Sequence, residues 1–211
     1  MYLPAHFSES DRQEITALID SHPLAALIVA TEGGLVANHI PLLRDGDTSL
    51  IGHIAFANDL HRLVPEGASV LAIFGGEDSY VSPNWYPGKS AHHRVVPTWN
   101  YQVVHVHGRI GFQHDEKTKR AVVGRLTTRF ERGLNGDAAW KMADAPADFM
   151  KDQLNAIVGL TIEIDRIEAK SKLSQNRTLE DFEAVTAEFG RHGKEKLAGR
   201  MHDLDLSRQR K

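Results

Sequence analysis

Aromatic side chains with the chemistry of a ligand pocket are concentrated between residues 80 and 101. This stretch holds three of the four tyrosines and two of the three tryptophans in the chain. Hydroxyl, amide and cationic side chains lie among them, at Ser82, Asn84, Lys89, Arg94 and Asn100. Flat rings beside such groups suit a planar, phosphorylated ligand or single-stranded nucleic acid. Packing in a core or at a subunit interface explains the same composition equally well.

A second polar cluster spans residues 170–177, with the sequence KSKLSQNR. It contains three cations, two hydroxyls and two amides, which together could hold a phosphate group. The alternative is a solvated loop that caps a helix beginning near Thr178. The cluster directly follows an alternating apolar stretch at residues 158–164, which predicts a strand just before it.

Two histidines separated by one residue, His105 and His107, lie in a stretch that alternates like a strand. Alternate residues of a strand point to the same face, so both imidazoles should lie together. A metal site there needs a third ligand, for which His114 and Glu116 are candidates. A polar strand face is the simpler interpretation, and the sequence therefore predicts no metal site.

Two short patterns resemble nucleotide-binding or DNA-binding motifs without their context. Gly88-Lys89-Ser90 ends like a phosphate-binding loop, but Pro83 stands where the first glycine is required. Two predicted C-terminal helices, joined by a turn containing glycine, resemble a helix-turn-helix whose second helix carries Lys194, Lys196 and Arg200. Recognition helices belong to compact helical domains, so this pair, at the end of a strand-rich chain, is a weak DNA reader.

Strand signals dominate the elements that must position these residues. The turns at 32–34 and 45–47 separate short apolar runs, which predicts antiparallel hairpins. Helices are expected over 11–21, with Ser10 as N-cap, over 114–132, and after residue 178. About seven strands with helices between and after them predict an α+β fold, mainly antiparallel, with a bent sheet or small barrel.

The composition excludes several chemistries. The 211 residues include no cysteine, which removes disulfides, thiolate metal sites, iron–sulfur clusters and cysteine nucleophiles. The formal charge is −3, and twelve histidines make the surface charge sensitive to mildly acidic pH. Residues 112–141 carry seven basic and four acidic groups. Nonspecific affinity for duplex DNA should be low unless one face concentrates such cations.

No stretch of the sequence carries a membrane or export signal. The longest apolar run, residues 24–30, is far too short to span a bilayer. The first four residues lack the basic start and apolar core of a signal peptide. We therefore expect a cytoplasmic protein with no membrane partner.

Longer segments resemble a known family. MYLPAHF, LVANHIPLL, GHIAFAN, YVSPNWYPGK, VPTWNYQVVHVHG and DFMKDQLNAIVGLTIEIDRIEAKSKLSQNR are similar, in order, to the PaiB-like family of FMN-binding negative transcriptional regulators. The resemblance implies an FMN-binding split barrel related to the pyridoxamine-phosphate-oxidase-like flavoproteins. It implies a single domain over residues 1–211, with residues 178–211 as a C-terminal helical extension. It also implies a homodimer with the flavin at the subunit interface.

The resemblance further implies three groups of cofactor-binding residues. GHIAFAN and the residues after it supply His53, Ala55, Asn58 and Arg62, whereas Phe56 stands where arginine is expected. The VPTWNYQ motif supplies Thr98, Trp99, Asn100 and Tyr101, and the KSKLSQNR motif supplies Lys172, Ser174, Gln175, Asn176 and Arg177. Asn100 and Lys172 are the first candidates among them. No catalytic residue is identified.

Three functions follow from these patterns. The first is a regulatory FMN-binding homodimer, in which the flavin or its redox state alters binding to a partner. DNA is a possible partner through the family resemblance alone. The second is a flavin-dependent oxidoreductase, since the flavin itself performs the electron chemistry. The third is a haem or metal binder on the same barrel, with His105 or His107 as a ligand.

Overall fold

The computed structural model describes residues 1–209 of the chain, with side chains to residue 204. Residues 210 and 211 of the predicted C-terminal extension lie outside the described residues. The strands are β1 (Ser8–Glu9), β2 (Leu24–Thr31), β3 (Gly34–Pro41), β4 (Leu43–Asp45), β5 (Ser49–Ala55), β6 (Ser69–Val81), β7 (Thr98–Gln113) and β8 (Ile157–Lys172). The helices are α1 (Arg12–Ser21), α2 (Leu60–Leu63), α3 (Gly88–His92), α4 (Glu116–Asn135), α5 (Ala147–Asn155), α6 (Leu179–Arg191) and α7 (Glu195–Gln209).

The strands form an eight-stranded sheet in the order β3-β2-β6-β7-β8-β5-β4, with β1 paired to β8. The β2–β3 and β4–β5 pairs are antiparallel hairpins, and β5 pairs antiparallel with β8. In the first hairpin Thr31 pairs with Gly34, so the turn has two residues, and Gly34 has a φ of 110°. That backbone conformation favours glycine. The predicted α+β fold with mainly antiparallel strands is confirmed.

The chain divides into two compact units. The central unit comprises Thr16–Phe74 and His105–Ile167. The terminal unit comprises Met1–Ile15, Gly75–Val104 and the chain from Glu168 onward. Strands β6, β7 and β8 each contribute residues to both units.

The core of the central unit consists of the inward-facing residues of its strands. Alternate residues of β2 and β8 are buried, among them Leu27, Val29, Leu160 and Ile162, as expected for strands with one face on a core. Close strand packing also explains Gly108, since a Cβ there would lie 2.2 Å from the backbone oxygen of Glu163. Helix α4 covers a separate apolar cluster, formed by Leu43, Ile51, Val122 and Leu126.

The core of the terminal unit is built around α6 and α7. The amphipathic helix α6 buries Phe182, Val185 and Phe189 in one cluster with Leu197 and Met201 of α7. The remaining buried members of this cluster are Val81, Tyr86 and Leu173. Among the described residues, no helix is both long enough and apolar enough to cross a membrane.

Three local expectations are corrected by the structure. Helix α1 is capped by Asp11 rather than Ser10, because the Asp11 carboxylate accepts a hydrogen bond from the backbone N–H of Gln13 at 2.8 Å. Helix α4 begins at Glu116, two residues later than predicted, because Asp115 accepts from the backbone N–H of Thr118 at 2.8 Å. Strand β8 continues through Lys172, so the first part of the KSKLSQNR cluster lies in a strand.

Candidate functional site

Four of the predicted site residues lie in the central unit, where β5 runs into α2. His53 and Ala55 belong to β5, Asn58 lies in the connection, and Arg62 belongs to α2. The Asn58 side chain fixes this connection. Its Nδ2 donates to Oδ1 of Asn38 on β3 at 2.8 Å, and its Oδ1 accepts from the backbone N–H of Leu60 at 3.0 Å. The β5–α2 corner, defined as residues 53–62, is therefore tied to β3.

The side chains of Arg62 and His61 converge at the β5–α2 corner. The Arg62 guanidinium donates to the carboxylate of Asp59 at 2.5 Å and to the backbone oxygen of Phe56 at 3.2 Å. It also lies 5.5 Å from the centroid of the Phe56 ring. The Nε2 atom of His61 lies 3.0 Å from the same backbone oxygen. Because half of the Arg62 side chain is exposed, the corner presents donors that an anion could reach.

His53 has an unusual environment on β5. Its side chain is half-buried, and burial lowers the pKa of its imidazole below the ordinary value. The imidazole therefore takes up a proton less readily than a solvent-exposed histidine. Its Nδ1 atom is buried and has no hydrogen-bond partner among the described residues. A buried polar atom without a partner costs roughly 1–3 kcal/mol, which marks His53 as a residue that a bound group could satisfy.

The other predicted site residues lie in the terminal unit, at the start of β7 and from the end of β8 to the loop after it. Asn100 is fully buried there. Its amide exchanges hydrogen bonds with the Ser174 hydroxyl, at 3.0 and 3.2 Å, and Nδ2 lies 3.7 Å from Sδ of Met201. Ser174 has a φ of 65°, in the left-handed region that residues other than glycine seldom adopt. A ligand could reach Asn100 only if this contact opened, so its role in cofactor binding stays a prediction.

Lys172 is more accessible than Asn100. Its Nζ donates to the Thr98 hydroxyl at 2.5 Å and to the backbone oxygen of Trp99 at 2.7 Å. Burial, followed by the charges of Lys170 and Arg177, lowers the pKa of the Lys172 ammonium. The Trp99 ring is about half exposed, and its Nε1 donates to Asp78 at 3.0 Å. Thr98 and the backbone of Trp99 therefore hold the Lys172 ammonium, and the Trp99 ring is separately accessible to solvent.

The remaining predicted residues of the terminal unit have local roles in the structure. Gln175 donates to the backbone oxygen of Ser171 and accepts from the backbone N–H of Leu173, which closes the turn after β8. The Arg177 guanidinium lies 4.8 Å from the centroid of the buried Tyr86 ring, and burial raises the pKa of that phenol. Tyr101 is half-buried, with Lys170 Nζ at 5.4 Å from its ring centroid, and Asn176 is exposed.

The cations of the predicted recognition helix are engaged within the terminal unit. Arg200 of α7 bonds to Glu9 at 3.1 Å and to Glu14 at 2.9 Å, and 15% of its side chain is exposed. Lys196 pairs with Glu77 at 3.0 Å, and Lys194 donates to the backbone oxygen of Asp78 at 3.4 Å. A DNA-reading face on α7 would have to break these contacts.

The two histidines that the sequence places on one strand face, His105 and His107, lie on β7. His105 and His107 lie together as strand alternation predicted, with ring centroids 6.5 Å apart, and His107 Nε2 lies 3.3 Å from Arg166 Nη2.

Asn38, which accepts the hydrogen bond from Asn58, was not predicted as a site residue from the sequence. The signal that could have found it is the LVANHIPLL segment, which resembles the family although no site residue was drawn from it.

Comparison with known proteins agrees with the resemblance. Residues 1–166 match the family described as "Putative FMN-binding domain". The chain is 28% identical over 186 residues to the Bacillus subtilis "Protease synthase and sporulation protein PAI 2", with 86% of each chain covered. It is similar in fold to the FAD and heme binding protein from Mycobacterium smegmatis, with a TM-score of 0.59, 22% identity, and 78% of this chain and 73% of that chain covered. The flavocytochrome Anf3 from Azotobacter vinelandii gives a TM-score of 0.56 and 19% identity, with 83% and 74% covered. The chain therefore belongs to the PaiB-like family of FMN-binding split-barrel proteins, with FMN as its cofactor.

Proposed function

We propose that this protein is a regulatory homodimer that binds the phosphate of FMN at the β5–α2 corner. The observation that carries this proposal is the set of donors at that corner. The exposed guanidinium of Arg62 and the imidazole of His61 lie on one backbone oxygen. A phosphate dianion is best held by charge-assisted hydrogen bonds from such groups. His53, whose buried Nδ1 has no partner among the described residues, offers a further polar contact.

The residues that the family motifs supply in the terminal unit stay proposed cofactor contacts of that unit by itself. Trp99 offers an exposed ring and Lys172 an ammonium, which suit the flat, electron-accepting flavin. When bound, FMN supplies one-electron and two-electron redox chemistry. The further residues in this proposal are Ala55, Asn58, Thr98, Asn100, Tyr101, Ser174, Gln175, Asn176 and Arg177. One domain spanning residues 1–211 also stays part of the proposal.

Support for a homodimer comes from the surface of the central unit. Leu35, Phe56 and Leu63 are large apolar side chains that are between 47% and 79% exposed. We propose that these side chains pack against the partner subunit, as large apolar side chains do at the centre of homodimer interfaces. Sedimentation equilibrium should therefore give twice the 23.5 kDa chain mass. A monomer at micromolar concentration would contradict this part of the proposal.

Support for regulation comes from a relative. The Bacillus subtilis protein is named for protease synthase and sporulation, which is compatible with a regulatory role here. If the partner is DNA, we infer that Arg200 does not read it, because its guanidinium is held between Glu9 and Glu14 in the terminal unit. Transcript levels in a deletion strain test this role. Wild-type protein should restore them and Arg62→Ala should not, whereas full restoration by Arg62→Ala would show that FMN is not required.

The decisive experiment for the site compares FMN with riboflavin, which lacks the phosphate. Arg62→Ala should weaken FMN binding about 10- to 100-fold, since charge-assisted hydrogen bonds contribute roughly 1.5–3 kcal/mol. It should leave riboflavin binding unchanged. Arg109→Ala is a matched control, because Arg109 is an exposed arginine of the same unit, 3.6 Å from Asp165. Equal FMN affinity in wild type and Arg62→Ala would place the phosphate elsewhere.

An absorption spectrum of the freshly purified protein separates the alternative functions. Flavin bands that disappear on denaturation and match released FMN are the expected result. A Soret band instead would favour the haem binder. Rapid oxidation of reduced nicotinamides by the FMN-loaded protein would favour the oxidoreductase over a regulator.

A further inference from the structure

A groove of about 690 Å³ lies on the central unit, and none of its lining residues comes from residues 53–62. It is lined by residues of α1, β4 and α4. Four of its nine lining residues are arginines: Arg44, Arg120, Arg125 and Arg129. Asp20 is the one acidic residue among the nine. No lining residue belongs to the corner, so this groove and the proposed FMN phosphate site have separate side chains.

The positions of two guanidinium groups are fixed by neighbouring acids. Arg44 donates to both carboxylate oxygens of Asp20, at 3.0 and 3.1 Å, and these contacts raise the pKa of its guanidinium further. Arg125 lies 2.8 Å from Asp45 and donates to the backbone oxygen of Arg44 at 3.4 Å. A guanidinium has five N–H donors, so each retains donors after these bonds.

The other two arginines of the groove have fewer contacts with acidic residues and backbone oxygens. Arg120 pairs with Glu116 one helical turn away, at 2.9 Å, with 47% of its side chain exposed. Arg129 is exposed, and it makes no hydrogen bond or ion pair with any of the described residues. Its charge is therefore uncompensated at the groove. The spacing along α4 places Ala121, Arg125, Thr128 and Arg129 on one helical face.

The groove has the size and chemistry of a small-molecule site. Pockets for small ligands occupy about 300–1,000 Å³ and combine apolar walls with a few polar groups. Here Leu43 and Ala121 supply apolar surface, and Thr128 supplies a hydroxyl. Arginine is preferred over lysine where a planar fork must bind phosphate or carboxylate through two parallel hydrogen bonds.

We propose that this arginine groove binds a small organic anion carrying at least two phosphate or carboxylate groups. A duplex nucleic acid fits less well, because acidic residues lie beside three of the four arginines. Asp45, Asp47 and Glu116 pair with the groove arginines, and they would repel an extended polyanion. A compact ligand can instead be held by the exposed guanidinium of Arg129, which pairs with none of those acids.

The proposal is tested by calorimetric titration of the FMN-loaded protein, in the oligomeric state in which it is purified. The probes are inorganic pyrophosphate and citrate. Either probe should bind with one site per chain. Arg129→Ala should weaken binding at least tenfold, and Arg109→Ala, outside the groove, should not change it. A stronger response to pyrophosphate assigns phosphate ligands, and a stronger response to citrate assigns carboxylates.

Several results would overturn the proposal. The proposal is overturned if neither probe binds at millimolar concentration, or if Arg129→Ala and Arg109→Ala weaken binding equally. A duplex oligonucleotide that binds through Arg129 when both probes fail would make the groove a nucleic-acid surface instead. Arg62→Ala separates the two sites, since it should weaken FMN binding and leave pyrophosphate binding unchanged. Competition between FMN and pyrophosphate for Arg129 would overturn both assignments.

Discussion

The two groups of predicted cofactor-binding residues have similar chemistry but different surroundings. At the β5–α2 corner of the central unit, Arg62 is half exposed and His53 has an unpartnered buried nitrogen. In the terminal unit, Asn100 and Ser174 satisfy each other in a buried contact. Polar side chains that satisfy each other stabilise a fold, whereas polar groups with spare donors and access to solvent can bind a ligand. Residue type alone does not separate the two cases.

The largest expected effect is a loss of stability when Arg200 of the terminal unit is replaced. Its guanidinium lies between Glu9 and Glu14, and removing one partner from a buried ion network is strongly destabilising. Arg200→Ala should lower the free energy of unfolding at pH 7 by about 2–4 kcal/mol, measured by urea denaturation. Arg191→Ala is the control, since Arg191 is 72% exposed beside Glu188. Equal stabilities for the two variants would show that the Arg200 contacts are not structural.

The effect of Arg200→Ala should also depend on pH. Burial raises the pKa of Glu14, and the Arg200 charge opposes that shift. Because the folded state holds the Glu14 proton more tightly than the unfolded state, stability falls as the pH rises through the folded pKa. Removing Arg200 raises that pKa further. The destabilisation should therefore be smaller near pH 4 than at pH 7, and a pH-independent loss would contradict this account.

A somewhat smaller effect is expected at Asn100. Asn100→Ala leaves the buried Ser174 hydroxyl without its partner, which should cost about 1–3 kcal/mol of stability, measured by urea denaturation. Asn176→Ala, at an exposed asparagine of the same cluster, should change stability by less than about 0.5 kcal/mol. If Asn100→Ala instead keeps its stability and loses FMN affinity, Asn100 is a ligand contact and the contrast between the two regions fails.

The smallest expected effect concerns His53 at the corner. Its folded pKa is lowered by burial, so the unfolded state binds the proton more readily. The stability that His53 contributes is therefore present above its unfolded pKa and is lost as the pH falls below that value. His53→Gln should flatten the stability profile between pH 7 and pH 5, measured by urea denaturation at a series of pH values. Saturating FMN should reduce the difference if the cofactor contacts His53.

Local patterns predicted much of the fold. The apolar run at residues 24–30 became most of β2, and the predicted turn at 32–34 contains the two residues between β2 and β3, because strands and tight turns depend on neighbouring residues. The extension of β8 to Lys172 was not predicted, because a charged stretch such as KSK has no strand signal of its own. It becomes a strand through pairing, as in the contact of Lys170 with Ser8.

The sequence by itself determined the strand-rich α+β fold, the family, and the residue types available for binding FMN. Only the tertiary structure decided which of those residues have spare hydrogen-bonding capacity. Asn58 meets Asn38 across 20 positions, and Asn100 meets Ser174 across 74. The arginine groove likewise combines Arg44 with three arginines of α4. Side chains so far apart in sequence leave no periodic signal, and their pairing depends on how strands and helices pack.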